Sequence, residues 1–85
     1  MKSGEGLRRL RELHAIGQGE LAQRAGVSRT SLSNFERGKG QPRHTTVRKL
    51  TAALSELSGQ TIRPIDLIAA AEREGGVAAR KATDP

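Results

Sequence analysis

Apolar residues recur along this chain at spacings of three and four, the period of a helix with one buried face, in five separate stretches. Leu7 and Leu10, followed by Leu13 or His14, predict a first helix over about 5–14, after a loose start at residues 1–5. Leu21 and Ala25 predict a second over 18–25, and Leu32 and Phe35 a third over 29–37. Val47, Leu50, Ala53, Leu54 and Leu57 fall on one stripe and predict a fourth over 45–57. Ile65, Leu67, Ile68 and Ala69 predict a fifth over 64–74, with Pro64 suited to its first turn. Breaks stand between them: Gly17, Gly26, the Gly38-Lys39-Gly40 run with Pro42, Ser58-Gly59-Gln60 and Gly75-Gly76. No stretch alternates with the period of a strand, and no segment repeats. The expected fold class is therefore all-α, with Leu10, Leu21, Ala22, Val27, Leu32, Phe35, Val47, Leu50 and Leu54 in the core. The domain runs over 1–75, and 76–85 form a flexible, small and polar tail.

The second and third helices meet across a turn whose residues are specific to a steep crossing. Ala22 is small where the helices touch, Gly26 tolerates a positive φ, and Val27 fills the turn. Ser28 is placed to cap the third helix. The outer face left on that helix is Arg29, Thr30, Ser33, Asn34 and Arg37, side chains that hydrogen-bond base edges and phosphates, with Ser28 at its start. Arg29 stands at the positive end of the helix dipole, where a cation is unfavourable unless an external anion or base meets it.

Charge sharpens this picture. The net charge is +6, and the window from Arg24 to Lys49 holds seven basic residues against one acid, Glu36, so it carries the whole excess while the flanks balance. A localised basic face is the footprint of a phosphate-binding surface. Glu36 among these cations is expected to form an internal ion pair. At 85 residues the chain is one domain. It has no cysteine, no apolar run of membrane length and no visible signal peptide, which fits a cytoplasmic protein free of thiolate metal sites. His14 and His44 have no partners at ligand spacing, and no nucleophile–base pair or phosphate loop is present, so neither metal, cofactor nor catalysis is expected. A single aromatic residue, Phe35, disfavours stacking on single strands.

The segments ELA at Glu20–Ala22, AGVS at Ala25–Ser28, ERGK at Glu36–Lys39, Pro42 and TVRKLTAAL at Thr46–Leu54 stand at fixed spacing. On these, from about Leu7 to Ile68, the chain resembles the phage-repressor and Cro-type helix-turn-helix family, also called the xenobiotic-response-element family. The resemblance implies a five-helix domain that reads double-stranded DNA in the major groove, as a homodimer on an inverted-repeat operator. It matches Gln18 to the family's phosphate-binding residue that braces the recognition helix, Arg29 and Thr30 to the first base-reading positions, and Ser33 and Asn34 to the next turn. Arg37, Lys39 and Arg43 match the loop that follows the DNA backbone. Two positions depart from the family's pattern: Ala15 stands where glycine often ends the first helix, and His44 where an apolar residue is usual.

The functional expectation is a nucleoid-associated transcriptional repressor. Two alternatives remain open from sequence: an antitoxin that autoregulates its operon and binds a toxin, and a small activating controller. In the fifth helix Leu67 and Ala71 lie on a different face from Ile65 and Ile68, so one face packs on the domain and the other is left over. Ile65, Leu67, Ile68 and Ala71, with the Ser58–Pro64 segment, are the candidate dimer interface. Leu67 is the residue at which a charge is expected to separate the protomers.

Overall fold

The computed structural model describes residues 2–40 and 42–72, and among these it forms five helices and no strand. They are α1 Lys2–Leu13, α2 Gln18–Ala25, α3 Arg29–Glu36, α4 His44–Ser58 and α5, helical over 64–72. The expected last turn of α5 and the tail at 76–85 lie outside the described residues. α4 lies against α2, and α3 packs on both α1 and α2.

Of the loose start expected at residues 1–5, the described residues 2–5 are helix instead, and the reason is tertiary. A Cβ added to Gly4 would overlap the carbonyl oxygen of Phe35 on α3, and one added to Gly6 would overlap the carbonyl oxygen of Leu67 on α5. Both glycines are buried and carry close backbone approaches. Their helix-weakening cost, about 1 kcal/mol each relative to alanine, is offset by packing that a local reading does not contain.

The far end of α1 closes with the Ile16 N–H on the Arg11 carbonyl (3.0 Å) and the Ala15 N–H on that of Glu12 (3.0 Å). This closure places Ala15 at φ +56°, the left-handed region that glycine fills without a Cβ penalty. Ala15 is exposed, so its methyl contributes little packing. Ala15→Gly should therefore stabilise the domain by about 1 kcal/mol, measured as a rise in the thermal midpoint; an unchanged or lower midpoint would show that the strain is relieved elsewhere.

Leu7, Leu21, Leu32, Leu50, Leu54 and Leu67 are fully buried, with Ala22, Phe35, Ala53, Ile16 and Ile62 around them. Leu10, Val27 and Val47, expected inside, sit at the margin of this cluster. Leu67 is a correction of more consequence. As a side chain with no exposed surface it is part of the core and is not available to a second protomer. Ala70 is buried beside it and Ala71 is half-buried, whereas Ile65 and Ile68 are 59% and 38% exposed. The close approach at Gly6 brings the α5 backbone onto α1 at Leu67, which decides which face turns inward.

The connection from α4 to α5 is pinned by Ser55. Its hydroxyl accepts the Ile62 N–H (2.8 Å) and lies 2.8 Å from the Thr51 carbonyl and 3.1 Å from that of Ile62. Asp66 then accepts the Arg63 N–H (2.7 Å) and closes the first turn of α5.

Candidate nucleic-acid interface

The turn between α2 and α3 forms as its residues require. Gly26 stands at φ +73°, its N–H returning to the Ala22 and Gln23 carbonyls, and the Ser28 hydroxyl accepts the Ser31 N–H as the cap of α3. Ser28 Oγ also donates to Ser31 Oγ (2.9 Å). Ser28, a candidate contact residue by sequence, thus has its hydroxyl engaged within the helix start. Ser31, which sequence reasoning passed over, is the exposed partner of that hydroxyl on the same turn. The signal available was the three-residue offset of a capping serine to a second hydroxyl.

Arg29 and Thr30 are exposed in the first turn of α3, Ser33 and Asn34 are half-buried in the second, and Arg37 is exposed at its C-cap. Lys39 and Arg43 are exposed in the loop that follows, and His44 is the exposed first residue of α4. Two open depressions flank this strip. One, of about 250 Å³, brings Asn34, Lys39 and Arg43 together with Ser31 and Thr46. The other, of about 460 Å³, brings together Gln18, Ser33 and Arg37 with Arg11 and Glu36, and adds Arg8 from α1, which is paired with Glu12 (3.2 Å). Thr46 and Arg8 have no sequence signal, because each lies on a helix outside the helix-turn-helix.

Beneath α3 sits the ion pair expected of Glu36, with a partner 25 residues away. Arg11 of α1 donates to Glu36 with Nε (2.7 Å) and Nη2 (2.9 Å), and to the Ile16 carbonyl with Nη1 (2.9 Å). Gln18 Nε2 adds a bond to Glu36 Oε1 (2.9 Å). The side chains are 10% and 3% exposed, so the pair is held in a low-dielectric setting where a fork of two charge-assisted bonds is strong. The Glu36 hydrogen bond raises the Arg11 pKa further above its usual value; burial acts in the opposite sense and is outweighed. One amide N–H of Gln18 is committed to this network. The first turn of α2 beside it has no side-chain cap, since its N-cap is Gly17, so its backbone N–H groups face outward for an acceptor.

The basic window divides in space. Arg24 pairs with Glu56 of α4 (3.6 Å), both well exposed, and so is tied to the α2–α4 side. Arg29, Arg37, Lys39 and Arg43 surround α3. No helix of the described residues is long and apolar enough to cross a membrane.

Comparison with known proteins agrees with this arrangement. A family model described as a helix-turn-helix domain matches residues 4–63. The chain is 36% identical over 58 residues to an uncharacterised HTH-type transcriptional regulator of Archaeoglobus fulgidus, covering 68% of this chain and 25% of that protein. It is 44% identical over 52 residues to the HTH-type transcriptional repressor RghR of Bacillus subtilis, covering 60% of this chain and 38% of the repressor. The crystal structure of the restriction-modification controller protein C.AhdI from Aeromonas hydrophila superposes with a TM-score of 0.67 at 32% identity, covering 78% of this chain and 91% of that one. The chain spans between 20% and 38% of the length of the regulators it matches in sequence.

Proposed function

The chain belongs to the helix-turn-helix domain family of transcriptional regulators, and from that premise we propose that it is a homodimeric repressor that binds an inverted-repeat operator in double-stranded DNA. One observation carries the reading: the polar strip of α3 projects between two depressions, each holding cationic side chains. A helix seated in a major groove about 12 Å wide has a phosphate backbone on either side, and each depression supplies partners for one of them. Lys39 and Arg43 meet one strand. Arg37, the remaining amide hydrogen of Gln18 and the uncapped first turn of α2 meet the other. Arg29, Thr30 and Asn34 read bases, with Ser33 on a base or phosphate.

Arg29 has the reach for a two-bond contact to guanine and Asn34 suits adenine. Arg29→Ala or Asn34→Ala should cost about 1–3 kcal/mol and relax preference at one base position per half-site, whereas Lys39→Ala and Arg43→Ala should weaken all sequences alike. A binding screen in which Arg29→Ala keeps its full sequence preference would reverse these assignments.

The dimer is proposed through the outer face of α5, with Ile65 and Ile68 as its apolar centre. Ile65→Glu should separate the protomers, weaken operator binding tenfold or more, equivalent to about 1.4 kcal/mol, and leave monomer melting close to wild type. Sedimentation showing a wild-type monomer both free and on DNA would defeat the proposal.

Selection of bound sequences from random duplex DNA tests the whole reading. The expected product is two inverted half-sites with centres about 34 Å apart on one face of the duplex. Recovery of no enriched sequence would refute it. A second reading, an activating controller, is compatible with the likeness to the controller protein C.AhdI; the position of the selected operator relative to its promoter separates the two.

A further inference from the structure

Helix α1 is gripped by backbone on two opposite sides. Gly4 and Gly6 are separated by two residues, about 200° around a helix of 3.6 residues per turn. At Gly4 the α1 backbone rests on the Phe35 carbonyl of α3, and at Gly6 on the Leu67 carbonyl of α5. Arg11 ties α1 to α3 a second time through its two-bond grip on Glu36, next in chain to Phe35. No side chain separates the backbones at either glycine, so no rotamer can absorb a displacement there, and close-packed interiors yield little to compression. α1 is thus a strut between the helix that presents the reading strip and the helix whose outer face is apolar.

We propose that Gly6 is a positioning residue: the contact it permits sets the separation of α3 from α5, and hence the spacing between half-sites that a two-fold pair of these domains accepts. This rests on the homodimeric DNA-binding reading given above. Side chains on α3 choose the bases of each half-site, and the thickness of α1 at Gly6 chooses the distance between half-sites.

The test uses half-sites obtained by selection with the wild-type protein, rejoined with spacers one and two base pairs shorter or longer. Each added base pair moves the half-sites apart by about 3.4 Å and rotates one about the duplex axis. Wild type should lose tenfold or more in affinity for one base pair in either direction. Gly6→Ala, which forces α5 off α1, should keep the same half-site bases but move its optimum by a base pair or flatten the profile to within threefold. Leu10→Ala, one turn along the same face of α1, removes packing without adding bulk and serves where Gly6→Ala gives no cooperative melting. It should flatten the profile in the same way. A folded variant of either kind with the wild-type spacing profile would overturn the proposal, as would a wild-type protein that tolerates one base pair in both directions. Enrichment of lone, unpaired half-sites by wild type would instead defeat the two-fold reading itself, and is seen before any spacer is varied.

Discussion

Arg11→Met should cost the fold about 3–5 kcal/mol, the usual consequence of removing one partner from a buried ion pair. Domains have about 5–15 kcal/mol in all, and one of this size buries a modest fraction of its surface, so much of the population should unfold at ambient temperature. The loss has two parts. Glu36, 5% exposed, is left with only the Gln18 amide as a side-chain partner, and the Ile16 carbonyl loses the Arg11 Nη1 donor. Replacing both partners separates these effects: Arg11→Met with Glu36→Leu removes the stranded charge, and such exchanges are often neutral or stabilising. Urea unfolding of the two single variants and the double should give a double far more stable than Arg11→Met. The recovered stability should not recover DNA binding, because Gln18 then has nothing to orient it toward a phosphate. A double variant as unstable as the single would show that the network contributes through something other than paired charge.

Operator affinity should fall steeply with salt. Arg37, Lys39 and Arg43 are the cations beside α3 assigned to phosphate, so the proposed dimer would present six of them. At about −0.9 per phosphate neutralised, the log–log slope for six is about −5, a loss of about 10³ between 50 and 200 mM salt. Each of Lys39→Ala and Arg43→Ala should reduce the slope by about 1 per protomer. Arg24→Ala should leave it unchanged, since Arg24 faces Glu56 of α4. Titration by fluorescence anisotropy over that range decides the matter: flat binding would mean that these side chains do not face DNA, and a slope reduced by Arg24→Ala would extend the interface to α2.

These expectations show which parts of the molecule a local reading reaches. The turn from α2 to α3 is legible residue by residue, because Ala22, Gly26 and Ser28 each answer a requirement set within a few positions: close crossing, left-handed backbone, a hydroxyl at a helix start. The stripes of α2, α3 and α4 are legible for the same reason, being periodic over their own length. What escapes is set by distant chain. The early start of α1 is hidden until α3 and α5 are seen to occupy the space that side chains at Gly4 and Gly6 would take. That Glu36 needs a partner is legible; that Arg11 supplies it is not, since the two are joined only by the packing of α1 on α3. In α5 two apolar faces are visible in sequence, but the choice between them is made by α1, and it puts Leu67 inside and Ile65 and Ile68 outside.

The Ser55 hydroxyl bears on how protomers can associate. By holding Ile62 against α4, it leaves almost no free chain between a fixed point and the start of α5. A helix tethered so closely remains at high effective concentration beside its own seat on α1, because loop-closure entropy is small for so short a span. Exchange of α5 between two copies would need that hinge to open and the Ile62 amide to lose its acceptor. Domain swapping, an otherwise inexpensive route to dimers for a small helical domain, is thereby disfavoured, and in the proposed dimer a second copy would meet α5 from outside.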